Sequence, residues 1–198
     1  MNKVNIADIA DKINNDVIEL VKTMGAYSEI DEIIDGPIRM LLADGRERDA
    51  AGLIRKIVKL EWMKKIGASM LMFRAGLINE KIRDYTEAAK CYRESIDLYI
   101  AMDQWSYWQH NNLGYCLNYL REFEEAELFC RKAILFCPER HNAWKNLGVA
   151  LEHQERYTEA MDCYRKAVEI CPEDGRSAKH LEELIKEQKE AFERQISS

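Results

Sequence analysis

Proline and glycine are scarce, with three and nine in 198 residues. So few chain breakers among abundant Ala, Leu, Glu and Lys exclude a fold of many short strands and point to helices throughout. Positive charge is also short: 29 Lys and Arg against 35 Asp and Glu leave a formal charge of -6. The chain therefore lacks the basic excess that neutralises a phosphate backbone, and nucleic acid is not an expected ligand. Long apolar runs are missing. The first 24 residues are interrupted by Asp8, Asp11, Asp16 and Glu19, which excludes a signal-peptide core and a membrane span there, and no later run reaches spanning length.

The six cysteines, Cys91, Cys116, Cys130, Cys137, Cys163 and Cys171, include no CxxC pair. Their spacing fits neither a zinc site nor a small disulfide framework, and they read as reduced, mostly buried thiols of a cytoplasmic protein. The four histidines form no HExxH arrangement, and neither a phosphate loop nor a nucleophile elbow is present. No catalytic residue, no metal and no cofactor is expected, and the chain reads as a non-enzyme.

What is present is a repeat. "YTEAMDCYRKAVEICP" from Tyr157 echoes "FEEAELFCRKAILFCP" from Phe123, 34 residues earlier, and "YTEAAKCYRESIDLYI" from Tyr85 is a third copy. Upstream of each, Gly76, Gly114 and Gly148 stand twelve residues before Ala88, Ala126 and Ala160. A period in this range signals stacked supersecondary units. Glycine and alanine at matched places imply close contact between two helices, and Pro138 and Pro172 end the second helix because they cannot donate its next backbone bond.

These residues resemble the tetratricopeptide repeat, a helix-turn-helix of 34 residues. The last copy carries Trp144, Leu147, Gly148, Leu151, Ala160, Tyr164, Ala167 and Pro172. The middle copy carries Leu113, Gly114, Leu117, Ala126, Ala133 and Pro138, with His110 and Cys130 at two aromatic positions. The first is weaker, keeping Gly76, Ala88 and Tyr92, with Ile100 in place of proline. The repeats are set at 69–102, 107–140 and 141–174. A degenerate fourth has room at 31–64, where "DGRERDAAGLIRKI" has the character of a turn and second helix and Pro37 and Ile38 replace the Leu-Gly pair. The resemblance implies an all-α, right-handed α-solenoid, with an N-terminal helical region over 1–68, three repeats over 69–174 and a C-terminal capping helix over 175–198.

Both ends read as amphipathic helices. Ile6, Ile9, Ile13, Val17, Val21 and Met24 make one apolar face, and Leu181, Ile185, Phe192 and Ile196 another. Glu182 with Lys186 and Glu190 with Arg194 are spaced as favourable pairs. Such helices cover the ends of a repeat array, or present a stripe to a second copy.

In the family, one stripe of each first helix lines a concave groove. At about 100° per residue that stripe includes Phe73, Arg74 and Leu77, then Trp108, Asn111, Asn112, Tyr115 and Tyr119, then Asn142, Lys145, Asn146 and Val149. Aromatics among asparagines suit an extended peptide or a helix of another protein. Asn112 and Asn146, each in an NLG triplet, resemble two rungs of an asparagine ladder that clamps a peptide backbone. The lysine-rich groove of chaperone-tail binders is not matched, since Phe73, Leu77 and Asn142 occupy its positions. Asp103 to Ser106 read as an insertion lengthening the connection between repeats, with Trp105 filling the gap or offered to a partner. The expected function is a non-catalytic adaptor or assembly factor gripping another protein, with a self-assembling homo-oligomeric scaffold as the alternative.

Overall fold

The computed structural model describes residues 5–24, 30–60, 67–99, 101 and 103–196, and the side chains of these except 18–24, 30 and 31. The side chains of Val21 and Met24, and Ile100 and the closing residues of the 31–64 copy, lie outside what is described. The described residues form ten α-helices and no strand, in two compact units, 1–100 and 101–198.

The first unit holds α1 (Ile6–Met24), α2 (Ile30–Ala43), α3 (Glu47–Val58), α4 (Ala68–Lys81) and α5 (Tyr85–Asp97). α1 packs on α2 and α3, α3 on α4, and α4 on α5. Ile13 and Val17 from α1, Ile38 and Leu41 from α2, Leu53, Ile54 and Ile57 from α3, and Met72 from α4 share one core that also includes Cys91 of α5. The first repeat and the N-terminal helices are thus buried against one another by the same apolar surface.

The second unit holds α6 (Gln104–Leu120), α7 (Phe123–Phe136), α8 (His141–His153), α9 (Tyr157–Ile170) and α10 (Gly175–Ile196). Each helix packs on the next, and α6 also packs on α8. α10 seats Leu184, 1% exposed, and Leu181 on the core of α8 and α9, which covers the last repeat. Its charge pairs differ from those read in the sequence. Lys186 reaches forward to Glu190 at 3.9 Å, and Lys179–Glu183 and Lys189–Glu193 are the other pairs of that spacing. All are solvent-facing and contribute a few tenths of a kcal/mol at most.

The repeat turn has one geometry throughout. Arg83, Arg121 and Glu155 have left-handed φ of 60°, 64° and 61°. The next residue donates its N–H to the carbonyl five back: Asp84 to Asn79, Glu122 to Leu117 and Arg156 to Leu151, at 2.9–3.0 Å. The α2–α3 hairpin makes the same turn, with Gly45 at φ 68° and Arg46 donating to Leu41 at 2.8 Å.

Inside each hairpin, glycine allows the close approach that its place in the pattern suggests. A Cβ on Gly148 would lie 2.5 Å from the Tyr164 ring, and one on Gly76 would strike Tyr92 in the same way. In the middle repeat the atom below Gly114 is the Cys130 sulfur, 2.6 Å from such a Cβ. Each tyrosine passes beneath its glycine and donates its hydroxyl to a first-helix carboxylate, Tyr92 to Glu80 (2.8 Å) and Tyr164 to Glu152 (2.6 Å). In the 31–64 hairpin, Ile38 and Ile54 stand at the glycine and tyrosine places. Both are fully buried, so volume is moved from one partner to the other.

One reading is changed by the structure. Asp103 to Ser106 are not a longer loop: Asp103 caps α6, accepting from the Trp105 N–H at 2.8 Å, and the following residues add a helical turn. A side-chain acceptor on the first free N–H groups makes that extra turn stable. Trp144 is only half-buried, and its indole N–H donates to the Pro138 carbonyl at 2.8 Å, tying α8 to the preceding loop.

Candidate functional site

The second unit contains an open cleft of about 440 Å³ lined by α6, α8 and α10: Tyr115, Asn118, Tyr119, Lys145, Asn146, Val149, His153, Arg176 and His180. The stripe rule places the α6 and α8 residues on one face, and the α6–α8 packing brings the two stripes side by side. Tyr115 and Tyr119, one turn apart, meet edge to face with ring centres 4.9 Å apart, and Tyr119 is 55% exposed. With Val149 they form the apolar side.

The asparagines bind one another across the helices. Asn146, 4% exposed, donates its Nδ2 to Asn111 Oδ1 at 3.1 Å, and Asn111 donates to Asn112 Oδ1 at 3.0 Å. Asn118 donates to the Asn146 carbonyl at 2.8 Å. Asn118 stands where the first and third repeats carry Glu80 and Glu152, and Cys130 stands where they carry the tyrosine. With no hydroxyl to accept, that position is turned toward α8 instead. The amides therefore fix the spacing of α6 and α8 and hold one wall of the cleft in place.

The opposite rim is charged. Arg176 grips Asp174 with two bonds, Nε to Oδ1 at 2.7 Å and Nη2 to Oδ2 at 3.0 Å, and His141 Nε2 lies 3.0 Å from the same carboxylate. The guanidinium holds the Asp174 carboxyl down to about 2. Lys145 is 8% exposed and still lines the cleft. Burial, then the like charge of Arg176, pushes its pKa below the usual lysine value, with Asp174 and Cys130 opposing. His153 stacks on Phe123 (4.4 Å) and His180 on Tyr164 (5.2 Å), which presents both imidazoles as part of the lining.

Of the residues picked from the sequence, Tyr115, Tyr119, Lys145, Asn146 and Val149 are brought together here. Asn111 and Asn112 support the wall. Trp108 sits near the start of α6, its ring against Tyr107 and under the Arg140 guanidinium at 4.5 Å. Asn142 is half-buried at the start of α8. Phe73, Arg74 and Leu77 belong to the first unit. There Phe73 is 8% exposed against Tyr92, Arg74 is ion-paired to Asp35 of α2, and Leu77 is 43% exposed. Arg176 and His180 were not found from the sequence, because the capping helix carries no repeat signature. Continuing the 34-residue count past 174 would have placed both on the same stripe.

Among the described residues no helix is long and apolar enough to cross a membrane, and no group of three or more His, Cys, Asp or Glu is placed to hold a metal ion. All six cysteines are free thiols, five of them buried.

No curated protein matches the chain in sequence. Models of the tetratricopeptide repeat match residues 71–99, 110–140 and 141–174. Among solved structures, MamA from Desulfovibrio magneticus RS-1 is similar with a TM-score of 0.70 at 16% identity, over 83% of this chain and 88% of that one. The Arabidopsis OM64 TPR domain is similar at 0.56 and 27% identity, over 60% and 95%. The first TPR of Spaghetti (RPAP3), bound to the HSP90 peptide SRMEEVD, is similar at 0.56 and 21%, over 61% and 92%. At such identities MamA and RPAP3 bear on the fold alone. The repeat matches, the helical hairpins and their common turn identify the chain as a tetratricopeptide repeat protein, and with that a module of protein–protein interaction.

Proposed function

We propose that the chain is a non-catalytic adaptor or assembly factor, working in the cytoplasm, that holds an extended segment or a helix of another protein in the cleft between α6, α8 and α10. The observation that carries this reading is the pair Tyr115 and Tyr119, half-exposed beside Val149 on a wall already fixed by bonded amides. Large aromatic surface left open on a rigid support is what gives a peptide site its affinity, because little side-chain entropy remains to be lost on binding. The peptide-bound RPAP3 domain supports it as an analogy of fold. Trp108 and Asn142, of the same unit, extend the proposed contact surface beyond the cleft, and Phe73, Arg74 and Leu77 stay a separate proposed contact stripe of the first unit.

The test is affinity capture with the full chain, identification of the retained protein, and titration of its binding segment against Tyr115→Ala and Tyr119→Ala variants. Truncating such an aromatic anchor costs about 2 kcal/mol or more, so each variant should bind at least tenfold more weakly while its circular dichroism is unchanged. Equal binding by both variants would remove the cleft from consideration.

A second reading, self-assembly, is favoured by one feature: α10 leaves Ile185, Phe192 and Ile196 exposed at 45%, 63% and 70%. Light scattering after gel filtration decides it, and a monomer at micromolar concentration excludes the scaffold.

A further inference from the structure

Among the described residues, nothing of its own unit covers the end of α10. Residues 189–196 all face water. Ile185, Phe192 and Ile196 are exposed and follow one another at seven and four residues, which at about 100° per residue sets them in one line along the helix. A helical stretch this short is marginal in water without tertiary contacts, so a cover over that line stabilises both the helix and its apolar groups.

The two edges of the line differ. Counted from Ile185, Lys189, Glu193 and Lys186 stand at about 40°, 80° and 100° on one side, while Gln188 and Gln195 stand at about 60° and 80° on the other. A second copy of α10 laid alongside in the opposite direction is related by a two-fold axis that brings like edge to like edge. With Ile185 beside Ile196 of the other copy, each Glu193 then falls between Lys186 and Lys189 of its mate. In a parallel pair the charged edge would face the glutamines and meet no opposite charge. Within one chain Lys186 and Lys189 hold their acids loosely, Glu190 and Glu193 each at 3.9 Å, and such exposed pairs exchange at little cost.

We propose that residues 185–196 of α10 form an antiparallel pair with the same segment of a second copy. The inference rests on the self-assembly reading and limits it: the pair uses the same patch on both copies, so growth stops at two and no scaffold extends. The contact runs for about 18 Å and falls short of the roughly 1,200 Å² at which specific, stable interfaces begin. The pair is therefore in exchange, and its population rises with concentration. Leu128 and Leu135 on α7, exposed and also seven residues apart, are the rival seat for the α10 line. They lie on another helix, so that contact would run head to tail into rings or fibres.

Sedimentation equilibrium of the full chain, from low micromolar to submillimolar concentration, should fit a monomer and a dimer alone. Phe192→Glu should weaken the dimer at least tenfold with the thermal melt unchanged, because that residue faces water in the monomer. Leu135→Lys should leave the dimer as it is. Two charge variants test the alignment: Lys186→Glu with Lys189→Glu in one chain, and Glu193→Lys in another. Each alone should be monomeric at concentrations where the wild type is paired, and an equal mixture should recover the dimer.

A chain that stays monomeric throughout would remove self-assembly and this pair together. Growth past the dimer, a dimer that Phe192→Glu does not weaken, or one that Leu135→Lys dissolves would overturn the α10 pair and leave self-assembly standing. A mixture of the two charge variants that stays monomeric would also overturn the proposal, since the aligned charges would then not join the copies.

Discussion

At the scale of single residues, two glycines in similar helices have opposite roles. Gly148 lies over the Tyr164 ring, whereas Gly36 in α2 has nothing within 4 Å of where a Cβ would stand. Alanine gains about 1 kcal/mol over glycine in a helix interior, while forcing a methyl group into a packed contact costs about 1–3 kcal/mol. Gly148→Ala should therefore destabilise the chain, read as a lowered urea midpoint, whereas Gly36→Ala meets no such packing contact but sets a Cβ against the ring of Pro37, which follows it in α2, and should show little of the helix gain. Trimming the ring beneath it, as in Gly148→Ala with Tyr164→Leu, should recover part of the loss, since the two sites are in contact and their effects are not additive. The contrast explains why the repeat glycines stand out in the sequence as markers of packing and Gly36 does not.

At the scale of elements, the interhelix turns hold a reserve of stability. Arg83, Arg121 and Glu155 adopt a left-handed conformation that glycine adopts without strain, and the corresponding place in the α2–α3 hairpin is already Gly45. Replacing any of the three by glycine should raise stability by about 0.5–1 kcal/mol, the left-handed strain relieved less the added freedom of the unfolded chain. Thermal melts of the three single variants check this, and a fall in all three would show that their side chains contribute more than their strain costs. The hairpins themselves were legible because glycine, alanine and proline mark contacts that only a helix pair can make. The extra turn of α6 was not, since an insertion counted in residues does not reveal that Asp103 would cap it into a helix. The cleft was legible in part. A rotation of 100° per residue assigns Lys145 and Asn146 to the correct face, but says nothing of depth, and it is the neighbouring helices that bury both. The asparagines were read as hands held out to a ligand, yet Asn146 and Asn111 are each other's partners across α6 and α8.

For the whole molecule, the response to pH follows from one buried imidazole. His110 takes the tryptophan place of the middle repeat, with its ring beside Phe129 and Phe136 and its Nδ1 2.7 Å from the Ser106 carbonyl. Burial lowers its pKa from the ordinary 6.5, the Ser106 carbonyl opposing and Lys132 adding to the shift. A base with a depressed folded pKa binds fewer protons when folded, so stability rises with pH across this window and is lost as pH falls below about 6.5. Urea unfolding at pH 7.5 and 5.5 should give the lower midpoint at the acid value. His110→Phe should flatten the difference, and an unchanged slope in that variant would place the effect elsewhere.

The length of α10 has a mechanical consequence. Its last firm anchor is Leu184, and all of residues 189–196 face water. From Leu184 to Ile196 the helix runs about 18 Å at 1.5 Å per residue. Arg176 and His180 stand on the other side of that pivot. By that geometry a swing of about 10° about Leu184 would carry the far tip through about 3 Å. The helix is thus a lever with its short arm at the cleft and its long arm in solvent, so any displacement at the cleft end is magnified at the tip.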